Sequence, residues 1–213
     1  MSIQELSEIA RSVGISSRHV LKAQSFRQVV IDSLGKRPKN VVNLFCGNGI
    51  ATWHWLRQDD DVQIISSDIR ITSKYNTIER EVLALNPNLV GRNVFVQTDL
   101  THDDFYANLG SNPAANYLAI AIHACGTLSD AFIRNCARYG LDFAVATCCH
   151  SKTQLVLEPQ EYPNGALYSE DDFALYQDLV RAQFAREQGY NVMAVTFSSE
   201  ITPMNHVLVG VKN

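Results

Sequence analysis

The sequence predicts a single α/β domain built on a doubly wound sheet of seven strands, mostly parallel, with an antiparallel C-terminal hairpin. Two observations carry this prediction. Short apolar runs bounded by turn residues alternate with amphipathic helical segments, which is typical of parallel strands buried on both faces. The last two runs are joined by only eight residues. Parallel neighbours need a connection of about a dozen residues or more, so this pair is expected to be antiparallel.

The composition fits one cytoplasmic domain. The chain has 213 residues, of which 46% are apolar, and it can bury a core without disulfide bonds. Five cysteines, an odd number, do not indicate the disulfide framework of a small secreted domain. The N-terminus lacks the pattern of a signal peptide, and no apolar stretch reaches the roughly 20 residues that span a bilayer. We therefore expect a cytoplasmic location and no membrane contact.

The first 40 residues are predicted to form a helical cap on a core that spans residues 41–213. Ser2 and Glu5 have the spacing of a capping box, and a second helix is expected from Ser17 to Leu34, stopped by Gly35. This segment has seven Lys or Arg against three Asp or Glu, while the remainder has eleven against nineteen. The net charge of −4 does not indicate a surface that follows nucleic acid over the whole domain.

The predicted strands are short apolar runs. Five belong to the parallel part of the sheet, namely VVNLF (41–45), VQIISSD (62–68), NVFVQTDL (93–100), YLAIAIHACG (117–126) and FAVATCCH (143–150). YNVMAVTF (190–197) and HVLVGVK (206–212) form the hairpin, which places a reversed strand at the edge of the sheet.

Helices are expected between these strands. One ends before Asn86 and Pro87, and another is capped by Ser129 and stopped by Gly140. The polar stretch 151–168 is predicted to be a lid or binding loop, because structureless segments of this length are uncommon in compact domains. A last helix is expected to open at Ser169.

A glycine turn follows the first strand in NLFCGNGIAT (43–52). Ligands of open α/β sheets bind at the carboxyl ends of the strands, and glycine there permits a positive φ or the close approach of a ligand. Asp68 ends the second strand, where an acidic side chain can accept both hydroxyl protons of a ribose. A tight turn with nothing bound, a nicotinamide dinucleotide and S-adenosylmethionine all fit these residues so far.

Two further residues favour a nucleoside without a pyrophosphate. Thr52 stands where a dinucleotide fingerprint has its third glycine, which packs close to the bound pyrophosphate. Asp99 ends the third strand and offers an acceptor where an adenine amino group could lie. A dehydrogenase also has no need of the closing hairpin.

Taken together, these residues resemble the class I S-adenosylmethionine-dependent methyltransferases, which have a Rossmann-like sheet. The resemblance covers roughly residues 16–213. It implies S-adenosylmethionine as cofactor, held by the residues of the glycine turn and of the next three strand ends: Asn43, Phe45, Cys46, Gly47, Gly49, Asp68, Ile69, Asp99, Leu100 and His123. Asn43 replaces the family's usual acid, which should weaken attraction for the cofactor's ammonium group. Phe45 replaces the first glycine, a change that methyltransferases with an LFCG turn tolerate.

The fourth and fifth strand ends resemble a narrower group. HACGTLSD (123–130), CCHS (148–151) and ITPMNHVLVG (201–210) are similar to a methyltransferase subfamily with an H-x-C-G-x-x-[ST]-D motif and a Cys-Cys motif. That subfamily includes tRNA acceptor-stem 2′-O-methyltransferases. The zinc-finger elements expected of the tRNA enzymes are missing, so the tRNA substrate does not follow from the resemblance.

The cysteines and histidines at these two strand ends admit several interpretations. Cys125, Cys148 and Cys149 with His123 and His150 could bind zinc, but no metal-binding spacing occurs and adjacent cysteines on a strand point to opposite faces, so no metal site is predicted. One of the paired cysteines is better explained as a small buried residue. His123 could equally be structural, whereas His150 is the better candidate for a base, because histidine ordinarily titrates near neutral pH. His123 and His150 are the predicted catalytic residues.

The predicted function is transfer of a methyl group from S-adenosylmethionine to a small-molecule acceptor. The chain leaves little length for a separate recognition domain, which favours a small acceptor, with residues 151–168 and the basic N-terminal helices at the substrate mouth. RNA, in particular tRNA, is the second candidate substrate. A non-catalytic module that binds the cofactor or zinc is the third hypothesis, because of Asn43 and the Cys/His cluster.

Overall fold

The computed structural model of the chain describes residues 1–102, 104–111, 116–122, 124–147, 170–202 and 205–213. These residues form a seven-stranded sheet of order β3-β2-β1-β4-β5-β7-β6. Its strands are β1 (Asn40–Leu44), β2 (Gln63–Asp68), β3 (Asn93–Gln97), β4 (Tyr117–Ala121), β5 (Asp142–Ala146), β6 (Tyr190–Thr196) and β7 (His206–Lys212). The first five strands pair in parallel, which confirms the predicted doubly wound fold.

The C-terminal hairpin is antiparallel, as predicted, but its position in the sheet differs from the expectation. β7 pairs antiparallel with both β5 and β6, so it lies between them, and β6 forms the edge. The reversed strand is therefore internal. Its centre is fully buried, because helices cover both faces of the sheet.

The helices described in the structure are α1 (Ile3–Ser12), α2 (Ser17–Leu34), α3 (Ile50–Leu56), α4 (Ser73–Leu85), α5 (Asp104–Gly110), α6 (Thr127–Tyr139) and α7 (Glu170–Glu187). The Ser2 and Glu5 capping box is present at the start of α1, and Gly35 ends α2 in the left-handed conformation. Both features were predicted from residue spacing. The short helix α5 was not predicted from the sequence.

One predicted cap is wrong. α6 begins at Thr127 with Gly126 as its N-cap, so Ser129 lies inside the first turn and does not cap the helix. The Ser129 hydroxyl is buried and donates to the carbonyl oxygen of Ala124, in the loop after β4. Its role is therefore to tie the helix to the preceding loop.

Two apolar clusters cover the two faces of the sheet. Helices α1 to α4 pack on one face, where Phe26 of α2 and Val41 of β1 share a cluster. Helices α5 to α7 pack on the other, around Phe132 and Phe143. Neighbouring strand residues alternate between the clusters, as the pleat of a strand requires. No helix in the described part of the chain is long and apolar enough to cross a membrane.

Candidate functional site

The glycine turn lies at the carboxyl end of β1, where the strand order reverses between β1 and β4. Three residues of the turn have positive φ, namely Phe45 at 53°, Gly47 at 56° and Gly49 at 76°. Glycine adopts a positive φ readily, but a residue with a side chain rarely does, and such residues are concentrated at functional sites. Phe45 is therefore a strained position at the place where open α/β sheets bind ligands.

The two glycines of the turn are needed for different reasons. A Cβ on Gly49 would lie 2.7 Å from the ring of Tyr75 in α4, so glycine there permits close packing inside the protein. A Cβ on Gly47 would meet nothing within 4 Å. Gly47 thus faces open space, which leaves its backbone accessible to a ligand.

Asp68 joins the end of β2 to this turn. Its Oδ2 accepts a hydrogen bond from the Gly47 N–H at 2.8 Å, and its Oδ1 accepts from the Ile69 N–H at 2.8 Å. Each carboxylate oxygen has further lone pairs, so both can still accept from a diol. The sequence singled out Asp68 for its position, but its contact with Gly47 is visible only in the fold.

The residues after β2 and β3 line the same edge of the sheet. The Ile69 side chain is 62% exposed, an apolar surface beside Asp68. Asp99 Oδ1 accepts from the Thr101 backbone N–H and hydroxyl, and these two bonds lower the pKa of the carboxyl. Leu100 is buried in the apolar cluster on the α5 side, so its side chain packs in the core and does not face the open edge.

Asn43 is buried at the end of β1, and its Nδ2 donates to the Thr52 hydroxyl of α3 at 2.9 Å. In the sequence, Thr52 is informative only because it stands where a dinucleotide fingerprint has its third glycine. In the fold it is the hydrogen-bond partner of Asn43. The same Asn43 side chain lines a cleft beside the turn.

The cleft beside the turn is bounded by α2 as well as by the strand ends. Its lining includes His19 and Ala23 of α2, Asn43, Phe45 and Cys46 of β1 and the turn, and Ile122 after β4. Burial lowers the pKa of His19, and the charges of Lys22 and Lys74 lower it further. Burial raises the pKa of the Cys46 thiol, so it stays protonated. Nothing in the spacing of the sequence indicated that His19 reaches this cleft.

The predicted catalytic residues His123 and His150 lie outside the described residues, as do Cys148, Cys149 and the stretch 151–168. Their predicted roles remain predictions. Within the described ranges, no group of three His, Cys, Asp or Glu side chains is placed to hold a metal ion.

A buried charge network lies near the ends of β4 and β5. Arg181 of α7 donates to Asp130 at 2.7 Å and to Asp178 at 3.1 Å, and all three side chains are at most 5% exposed. Asp178 also accepts from the Thr147 hydroxyl at 3.0 Å and contacts Nδ1 of His206 at 2.9 Å. The hydrogen bond to Asp178 raises the pKa of His206.

This network explains two parts of the sequence motifs. Asp130 closes the H-x-C-G-x-x-[ST]-D motif, and its carboxylate is held by Arg181. His206 lies within the ITPMNHVLVG segment and joins β7 to α7 through Asp178. Asp130 is thus tied to α7 through Arg181, and His206 is tied to α7 through Asp178. No spacing in the sequence indicated either of these partners.

Comparison with known proteins places the chain by its fold. No family model and no curated protein sequence matches it. An O-methyltransferase family protein from Burkholderia thailandensis is similar over 92% of this chain with a TM-score of 0.50 and 16% identity, and this chain spans 60% of its length. The methyltransferase domain of bacterial CtHen1 is similar over 91% of this chain and 99% of its own, with a TM-score of 0.56 and 16% identity.

A third solved structure contains a cofactor. Magnesium protoporphyrin IX methyltransferase (ChlM) from Synechocystis PCC 6803, solved with bound SAM, is similar over 92% of this chain and 80% of its own, with a TM-score of 0.55 and 14% identity. At these identities the similarity concerns the course of the backbone. The chain has the Rossmann-like fold that these methyltransferases share.

Proposed function

We propose that this chain binds S-adenosylmethionine and transfers its methyl group to a small-molecule acceptor. The observation that carries the proposal is the glycine turn closed by Asp68, with Gly47 open to solvent at the switch point of the sheet. The shared fold with methyltransferases, one of them solved with bound SAM, supports the same choice of cofactor.

The side chains around the turn fit the parts of S-adenosylmethionine. Asp68 would accept from the ribose hydroxyls, and the exposed Ile69 would pack against the adenine. Asp99 would accept from the adenine amino group, and Asn43 from the ammonium group of the methionine part. When bound, the cofactor supplies a methyl carbon activated by its sulfonium. A nucleoside without a pyrophosphate fits this open approach, because the turn offers no separate pyrophosphate site.

The protein's contribution to transfer is mainly orientation. Holding donor and acceptor in line can supply about 7 kcal/mol of the barrier. A base is needed only where the acceptor is a hydroxyl, ammonium or thiol that loses its proton, and we propose His123 or His150 for this role. Side chains of α2 line the cleft and restrict its width, which favours a small acceptor.

Calorimetry tests the cofactor directly. We expect S-adenosylmethionine and S-adenosylhomocysteine to bind with a stoichiometry of one, and nicotinamide adenine dinucleotide to bind much more weakly. Radiolabelled methyl transfer then identifies the acceptor fraction. A folded protein that binds neither adenosyl ligand contradicts the proposal. Replacing His123 and His150 singly by Ala tests the base, and unchanged turnover in both variants excludes them.

RNA is the second candidate acceptor, and one observation favours it. Lys22 and Lys74 lie close enough to His19, in the lining of the cleft, to lower the pKa of its imidazole. A phosphate near this opening would meet positive charge. Retention of RNA by the protein at low salt, lost as salt rises, would support this acceptor, whereas no retention at low salt excludes it. A non-catalytic module would bind the cofactor or zinc and transfer no methyl group to any fraction.

A further inference from the structure

A chain of buried hydrogen bonds leads away from the cleft beside the glycine turn. It starts at Asn43, whose Nδ2 lies 2.9 Å from the Thr52 hydroxyl. The Thr52 and Ser66 hydroxyls are 2.7 Å apart, and the Ser66 hydroxyl donates to Asn93 Oδ1 at 2.8 Å. Asn93 Nδ2 then donates to the Tyr75 hydroxyl at 2.7 Å. The chain thus links β1, α3, β2, β3 and α4.

The direction of this chain follows from counting protons. Each hydroxyl has one proton to donate. Ser66 gives its proton to Asn93, so it must accept from Thr52. The Thr52 proton is thereby used, and Thr52 can only accept from Asn43. The amide nitrogen of Asn43 must therefore face Thr52, which leaves Oδ1 for the cleft.

The far end of the chain favours the same direction. Burial raises the pKa of Tyr75 to about 12, so its hydroxyl stays protonated and can donate or accept, and the neighbour that distinguishes the two ends of the Asn93 amide is Glu79. Burial also raises the pKa of Glu79, on the next turn of α4, while the amide of Asn93 lowers it. A carboxylate only accepts, so it favours the nitrogen of Asn93 on its side and the oxygen toward Ser66.

Burial makes this orientation costly to reverse. Asn43 is 1% exposed, and Thr52 and Ser66 are fully buried. No water is therefore available on the Thr52 side, where a reversed amide would set the acceptor oxygens of Asn43 and Thr52 against each other, which is strongly disfavoured. An amide on an open surface can turn either its nitrogen or its oxygen toward a ligand, whereas the Asn43 amide turns its Oδ1 toward the cleft.

We propose that Thr52 and Ser66 are positioning residues that hold the Asn43 amide with its oxygen toward the ammonium group of S-adenosylmethionine. This inference rests on the proposed function. It explains how an uncharged residue can serve where the related methyltransferases have an acid. The hydrogen-bond chain supplies a fixed acceptor in place of the lost charge.

The test compares two neighbouring serines of β2. Ser66→Ala removes the acceptor of the Thr52 proton, which is then free to be donated to Asn43 and to turn the amide. Ser67→Ala removes a hydroxyl that is equally buried but donates to the Val96 carbonyl, outside the chain. The probes are S-adenosylmethionine and 5′-methylthioadenosine, which lacks the amino-acid part, and calorimetry gives the ratio of their affinities.

We expect Ser66→Ala to weaken S-adenosylmethionine on the order of tenfold and to leave 5′-methylthioadenosine unchanged. Ser67→Ala should leave the ratio of affinities as in the unsubstituted protein. Thr52→Val should weaken S-adenosylmethionine to the same extent, whereas Thr52→Ser keeps the hydroxyl and should leave the ratio of affinities as in the unsubstituted protein. These two variants provide a second comparison if Ser66→Ala does not fold. An unchanged ratio in both Ser66→Ala and Thr52→Val overturns the inference. Failure of the unsubstituted protein to bind either probe instead overturns the proposed function.

Discussion

Asp68 Oδ2 accepts a hydrogen bond from the Gly47 N–H at 2.8 Å, which links the end of β2 to the glycine turn after β1. The Asp68 carboxylate therefore holds the turn in place and also lies beside the open space at Gly47. In a parallel sheet these two strand ends are neighbours because β1 and β2 pair in register from Asn40 to Leu44. This contact carries our interpretation of the site.

Asp68→Asn should weaken S-adenosylmethionine binding. The amide has one acceptor oxygen in place of two, so it cannot hold both Gly47 and a ribose as the carboxylate can. Hydrogen bonds to charged groups contribute about 1.5–3 kcal/mol, which corresponds to a loss of about 10- to 150-fold in affinity. Calorimetry measures the change. Asp61→Asn, an exposed acid before β2, is the matched control and should bind as the unsubstituted protein does.

Gly49→Ala should destabilise the fold more than Gly91→Ala. Both glycines have positive φ, 76° and 79°, so both substitutions strain the backbone by about 1–2 kcal/mol. Only at Gly49 would the new methyl group meet the Tyr75 ring at 2.7 Å, and overpacking adds about 1–3 kcal/mol. Urea unfolding of the two variants isolates the second contribution. Equal losses of stability would show that the Tyr75 ring moves aside without cost.

Arg181→Met should lower the free energy of unfolding by about 3–5 kcal/mol, because it leaves the buried Asp130 without its cation and removes one of the cations paired with the buried Asp178. Arg134→Met, at an exposed position of α6, should change stability by less than about 0.5 kcal/mol. Chemical denaturation of both variants at pH 7 makes the comparison. A loss at Arg181 no larger than at Arg134 would mean that the network does not hold α7 to the sheet.

Stability should depend on pH through His206. The hydrogen bond with Asp178 raises the pKa of this histidine in the folded state above its usual 6.5. The contribution is therefore fully present below pH 6.5 and is lost as the pH rises through the folded-state pKa. We expect the difference in unfolding free energy between the unsubstituted protein and His206→Gln to be larger at pH 6 than at pH 9. A difference that is the same at both pH values contradicts this assignment, and titration of the His206 ring by NMR checks the pKa directly.

Residue patterns determined most of the framework. Apolar runs bounded by turn residues located the strands, because a strand buried on both faces must be apolar throughout. The short link before β7 predicted an antiparallel hairpin, and the glycines with Asp68 and Asp99 indicated the ligand edge. Each of these signals lies within a short segment of the sequence, so it can be recognised without knowledge of the fold.

The tertiary structure decided how distant residues meet. The sequence predicted only that Asn43 would bind the cofactor's ammonium group weakly. The structure shows that Asn43 is the end of a buried hydrogen-bond chain, because the packing of three strands and a helix brings Thr52, Ser66 and Asn93 together. Ser129 lost its role as a cap because Gly126 starts the helix. The structure also places β7 inside the sheet, where the sequence predicted a reversed strand at the edge, and shows that Arg181 is the partner of Asp130. Hydrogen bonds and ion pairs across long sequence separations leave no periodic trace, so packing alone specifies them.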